Sequence, residues 1–167
     1  AEAHNNLAHI LLKSKNFVEG WKEYEWRLKI KDKKFFIEIE MDIKLRTNKP
    51  QWNLNKKERV LLWAEQGLGD EIMFLSMLPD LINRVDSLII KTDKRLIPLL
   101  QRTFNKQIDY IDKYVDIDEI FYDSHIAMGS LPKLLRPSIN SFGTAKSLKL
   151  KVNKQKSNEL KSKLIGS

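Results

Sequence analysis

The sequence predicts an open α/β domain built on a parallel sheet and preceded by a helical hairpin. Three observations carry this expectation. First, residues 60–64 are a short apolar run, as expected of a strand buried on both faces. Gly67 and Gly69 then frame a turn, and Asp70 and Glu71 open a pattern in which Ile72, Leu75, Leu78 and Ile82 follow helical spacing. Second, short apolar runs and helical patterns keep alternating through residues 59–150. Third, residues 1–30 show only the helical period.

The elements follow in order. His4, Leu7 and Leu11 recur at i, i+3 and i+7, and Phe17, Trp21, Tyr24 and Leu28 repeat that spacing after Asn16. So short a break predicts an antiparallel hairpin over 2–29. Residues 31–58 read as a charged connector. Within it Phe35-Phe36-Ile37-Glu38-Ile39-Glu40-Met41 predicts a short extended piece, and Pro50-Gln51-Trp52 predicts an anchor. Strands are expected near 60–64, 88–91, 108–111 and 119–122. Helices are expected between them, one with the face Leu96, Leu99, Leu100 and Phe104, and another starting at Leu131. Residues 148–150 read as an edge strand, and 153–163 as a Lys- and Ser-rich helix or linker. The first residue is not Met, and Leu164-Ile165-Gly166-Ser167 reads like the opening of a strand. Both predict a piece of a longer chain. The expected division is 1–30 hairpin, 31–58 connector, 59–150 α/β domain and 151–167 linker toward a further domain.

Composition narrows the function. The 167 residues hold 30 basic and 22 acidic side chains, a net charge of +8. The lysines are scattered and the aromatics are not interleaved with them, so no nucleic-acid partner is expected. A Lys-lined cleft for a phosphate-bearing ligand is the milder use of the charge. There is no Cys, hence no disulfide and no thiolate metal site, and one His among scattered acids in the 123–132 loop is no metal signature. No apolar run approaches the roughly 18 residues of a membrane span.

The glycine turn is a poor dinucleotide site. Ile72 stands where a third glycine belongs, and Lys91 ends the second strand where a ribose-binding acid is expected. Asp70 and Glu71 would also repel a pyrophosphate, and no phosphate loop with Gly-Lys-Ser/Thr is present. Asp70, at a helix start by a strand end, reads from its position alone as a helix cap. Gln66 could hydrogen-bond a ligand, whereas Glu71 more simply serves the helix dipole. The run Asp123 to Pro132 follows the fourth expected strand, so it too should lie at the strand carboxyl ends. Within it His125 could bind a ligand or be merely solvated, and Ser130 precedes an early Pro as a cap would.

Two resemblances extend this reading. His4, Leu7, Ala8 and Leu11, with Gly20 and Tyr24, resemble the pattern of a tetratricopeptide repeat. Arg27 departs from its usual small residue, as in a terminal repeat facing something other than another repeat. One repeat cannot bury its own face. It therefore either continues an array or packs on the next domain. The string Trp-Ala-Glu-Gln-Gly-Leu-Gly-Asp-Glu-Ile-Met-Phe, with Pro50-x-Trp52, Asp93-Lys94-Arg95-Leu96 and the 123–132 segment, resembles bacterial tetratricopeptide-repeat glycosyltransferases. More distantly it is similar to the heptosyltransferases. The resemblance implies the Rossmann-like amino-terminal half of a GT-B fold, binding a sugar or protein acceptor. Asp70 would be the catalytic base, and Gln66, Gly67, Gly69, His125 and Ser130 would line the acceptor site. No metal or cofactor is implied. The nucleotide-sugar is a substrate held mainly by a second domain outside this chain. The full protein would be an inverting sugar transferase in the cytoplasm or peripheral at the inner membrane surface, and this chain alone would be inactive. The alternative is a non-catalytic module whose helices recruit a protein partner.

Overall fold

The computed structural model describes residues 1–29, 45–104 and 108–165. Strands β1 (Arg59–Trp63), β2 (Ser87–Thr92), β3 (Ile108–Asp112) and β4 (Ser124–Ala127) form one sheet in the order β3-β2-β1-β4. Every pair is parallel: Val60 lies opposite Leu88 and Ser124, and Leu88 opposite Ile108. Order and direction are those of a Rossmann-like domain. Val60, Leu62, Leu88, Ile90, Ile108 and Ile126 point into one apolar core, and Leu61 and Ile89 meet Tyr122 on the other face. A near-continuous apolar run serves β1 because both its faces are covered.

The fourth strand lies later than expected. Glu119–Phe121 is a short 3-10 helix, stabilised where the Asp118 carboxylate accepts from the Ile120 N–H at 3.0 Å. Ile120 and Phe121 are exposed, and only Tyr122 of the expected strand is buried. The true strand begins at Ser124, where Ser and His interrupt the apolar pattern. Its outer side is covered by the connector: Trp52 N–H donates to the His125 carbonyl at 2.8 Å and His125 N–H to the Pro50 carbonyl at 3.1 Å. Trp52 is the anchor expected of it, 2% exposed and packed into the main core. The extended piece expected over residues 35–41 lies outside the described residues.

Helices α3 (Leu68–Leu75), α4 (Leu78–Leu81) and α5 (Ile97–Thr103) cover the core face. The expected face of the first is corrected: Ile72 is exposed, and Glu71, Phe74 and Leu75 are buried. Pro79 starts a new helix after the turn at Ser76 and Met77, so one uninterrupted period does not run from 72 to 82. After β4 come α6 (Leu131–Leu135), α7 (Asn140–Gly143) and α8 (Lys154–Ile165). Residues 148–150 form no strand, and Leu164 belongs to exposed α8 and not to a strand.

The hairpin consists of α1 (Glu2–Lys13) and α2 (Phe17–Tyr24), followed by a 3-10 turn at Glu25–Lys29. Gly20 permits their close approach, because a Cβ there would lie 2.7 Å from Leu12 Cδ2. Lys15 closes the turn in the left-handed region, at φ 64°. Ala8 and Tyr24 belong to the same apolar cluster as the sheet core, so the hairpin packs on the α/β unit.

Candidate functional site

In this strand order the chain leaves β1 toward β2 on one side and returns as β4 on the other. The crevice at the carboxyl ends of β1 and β4 is therefore the place where an open α/β sheet accepts a ligand. Glu65, Gln66 and Gly67 follow β1, and the 3-10 turn Met128–Ser130 follows β4.

A side chain from outside the domain occupies the base of this crevice. The Arg27 guanidinium donates to Glu65 Oε1 through Nε at 3.0 Å and Nη2 at 2.8 Å. Its Nη2 also donates to Ser130 Oγ at 2.9 Å, and its Nη1 to the Tyr24 carbonyl and Glu25 Oε1, each at 3.0 Å. Ser130 donates its own proton to Glu25 at 2.8 Å. The Gly129 N–H adds a third bond to Glu65 Oε1, at 3.0 Å. Gly129 must be glycine here: a Cβ would lie 2.6 Å from that oxygen and 2.8 Å from Arg27 Nη2. Burial pushes the Glu65 carboxyl up against the pull of Arg27 and of the Gly129 N–H. The other oxygen, Oε2, is buried with no hydrogen-bond partner among the described residues. Beside this pair, Gln66 and the Tyr24 hydroxyl exchange contacts at 2.8 and 3.1 Å. Burial raises the Tyr24 pKa, and Gln66 and Arg27 oppose it.

Asp70 is not the cap of its helix. α3 starts at Leu68 with Gly67 as N-cap, so Asp70 is the third helical residue, half-exposed in the first turn. Its carboxylate makes no hydrogen bond among the described residues, and it adds to the rise in the Tyr24 pKa. Gly67 and Gly69 are exposed with ordinary negative φ. A Cβ at Gly69 would meet nothing within 4 Å, and one at Gly67 only the Asp70 carboxylate at 3.5 Å. Neither backbone strain nor crowding by the protein requires glycine at these positions.

Glu71 does more than complement a dipole. It is buried, accepting from Lys113 Nζ at 2.7 Å, from the Asp93 N–H at 2.8 Å and from the Thr92 hydroxyl. Lys113 also donates to the Gln66 carbonyl at 3.4 Å, so this pair ties the carboxyl ends of β2 and β3 to the glycine turn.

The 123–132 segment divides. Asp123 lies at the opposite, amino end of the sheet, where Arg59 grips it through Nη2 at 2.7 Å and holds its carboxyl down at about 2. His125 lies inside β4, half-buried; its Nδ1 accepts from Trp63 Nε1 at 3.2 Å, and burial lowers its pKa. Neither reaches the crevice. Ser130 does, and it occupies the N-cap position of α6, but its hydroxyl serves Arg27 and Glu25 and makes no cap bond. Gln66, Gly67, Gly69, Asp70 and Ser130 thus gather at one end of the sheet. Glu65, Gly129 and Arg27 complete the site without having been singled out as site residues. The departure of Arg27 from the repeat pattern was the sequence signal for it.

Among the described residues no cluster of His, Asp or Glu could hold a metal ion, and no helix is long and apolar enough to cross a membrane. No protein-family model and no solved structure matches the chain. It is similar to Protein FlbA of Caulobacter vibrioides, 34% identical over 104 residues. That stretch is 59% of this chain, and the chain spans 16% of the relative's length.

Proposed function

We propose that this chain is the acceptor-side part of a sugar transferase, with Asp70 as the base. One observation carries the reading. An exposed glycine pair, required by neither strain nor crowding, adjoins a carboxylate with no hydrogen bond among the described residues, at the carboxyl end of a central parallel strand. Bare backbone lets a ligand approach closely. Asp70 would take the proton of the acceptor hydroxyl as its oxygen bonds to the anomeric carbon of a nucleotide-sugar. The nucleoside diphosphate would leave from the opposite face with the bonding pair, inverting the centre. An ionised carboxylate is a weak base, but an oxocarbenium-like transition state lets the proton move late. The donor would be held mainly by a second domain beyond these residues. Gln66 and Ser130 act here as positioning residues, because the hairpin already engages their polar groups.

The test is turnover in the protein that contains both domains. Asp70→Asn should cut transfer by ~10²–10⁴ with donor binding little changed. Near-normal turnover would remove Asp70 from the mechanism. A second reading, a partner-recruiting module of tetratricopeptide type, is favoured by the outward face of the hairpin. Leu7, Ile10 and Val18 are exposed there at 43, 65 and 62%. On that reading Leu7→Glu with Ile10→Glu abolishes partner capture, and Asp70→Asn leaves it intact.

A further inference from the structure

Apart from the crevice, a cavity of about 360 Å³ opens between the hairpin and the α/β unit. Trp21, Met73, Phe74, Met77, Pro132 and Phe142 form its walls. None of its lining residues belongs to the Arg27–Glu65 junction or the glycine turn. The size falls within the range of small-molecule sites. Met73 and Phe142 are 54 and 43% exposed at its mouth, so this apolar lining is open to solvent. Two methionines give a wall that adapts to the shape of an occupant.

The polar groups at the rim decide what the occupant carries. Trp21 Nε1–H donates to the Arg136 carbonyl at 2.9 Å, and the Ser76 hydroxyl to the Met73 carbonyl. The Arg136 guanidinium is closed on Asp80 and on the Leu135 carbonyl. Asp80, so engaged, also accepts from the Lys146 backbone N–H at 3.2 Å. The Lys146 ammonium has no partner among the described residues. An apolar cavity whose remaining polar handle is an ammonium is complementary to an apolar group with one anionic head. We propose that this cavity binds a small amphiphilic anion, its acyl or aryl part between Trp21 and Met77 and its head on Lys146.

Calorimetric titration of the purified chain with octanoate and with octanol tests this. One saturable site is expected, tighter for octanoate. Lys146→Glu should weaken octanoate at least tenfold and octanol less than twofold. Ala145→Trp, placed at an exposed position on the rim, should abolish both with an unchanged melting temperature. A sulfonate aryl probe, anilinonaphthalene sulfonate, should compete with octanoate. Absence of saturable binding would overturn the proposal, as would binding indifferent to both variants. Equal affinity for octanol, unaffected by Lys146→Glu, would overturn the anionic head. Binding only to anionic lipid vesicles, with no free-octanoate site, would place the contact on a membrane surface and also count against it.

Discussion

Removing Arg27 should unfasten the hairpin from the α/β unit. Its side chain is 4% exposed and that of Glu65 is 9% exposed, so this is a buried pair and not a surface one. Arg27→Ala leaves Glu65 without its guanidinium, with the Gly129 N–H still in place, and strips Ser130 of a donor. Breaking a buried pair from one side costs about 3–5 kcal/mol, because a buried charge is left uncompensated. At about 2–4 °C per kcal/mol for a chain of this size, the melting temperature should fall by roughly 6–20 °C. Arg27→Lys should lie between, since an ammonium cannot present the guanidinium fork. The double variant Arg27→Met with Glu65→Leu removes both charges and should recover most of the loss. Urea unfolding followed by Trp fluorescence measures these proteins, and a double-mutant cycle that adds Arg27→Met and Glu65→Leu as single variants isolates the pair. A loss below about 1 kcal/mol for Arg27→Ala, typical of exposed pairs, would refute the reasoning. So would additive single variants.

Three further outcomes follow from the same geometry. Gly129→Ala should destabilise by about 1–3 kcal/mol, because its Cβ overlaps Glu65 and Arg27; the loss should vanish in the Arg27→Met, Glu65→Leu background, as paired melts would show. Trp52→Ala should cost about 3–5 kcal/mol in urea unfolding, since a fully buried ring that also donates to the Lys56 carbonyl at 3.2 Å leaves a cavity beside β4. Stability should fall in acid. The Asp123 carboxyl is held at about 2 by Arg59, and that of Asp93 is lowered chiefly by its hydrogen bond with Arg95. Folded-state values below the ordinary carboxylate value of about 3.9 give stabilisation present above that pH and lost as pH falls through about 2. Urea midpoints between pH 5 and 2 check this, and Asp123→Asn should flatten part of the slope.

Asp70 shows how the tertiary structure changes a test. An N-cap carboxylate would be worth about 1 kcal/mol against Ala. As the third helical residue, with Gly67 as the cap, Asp70 contributes only its interaction with the helix dipole, about 0.3–1 kcal/mol. Asn and Ala variants should therefore melt within about 1 kcal/mol of each other. Their activities alone then report on the base.

Local chemistry was enough to specify the class of the fold. Runs such as Val60-Leu61-Leu62 and Leu88-Ile89-Ile90 have the length and apolar character of strands covered on both faces, and the helical patterns between them favour parallel pairing. Trp52 was legible for a similar reason: it is the one large apolar side chain in a polar stretch. β4 was not legible, because its outer neighbour is the connector. The main-chain bonds of residues 50–52 cover an edge on which Ser124 and His125 could then sit. Nor could spacing place Glu71 in the core, since a buried carboxylate is tolerable only where Lys113, 42 residues later, arrives to pair with it. The same holds for the crevice. The sequence by itself determined that a glycine turn and a carboxylate follow the first strand. Only the packing of the hairpin decided that Arg27, Glu65, Gly129 and Ser130 meet there, because burial and charge pairing act through space between residues that the chain keeps far apart.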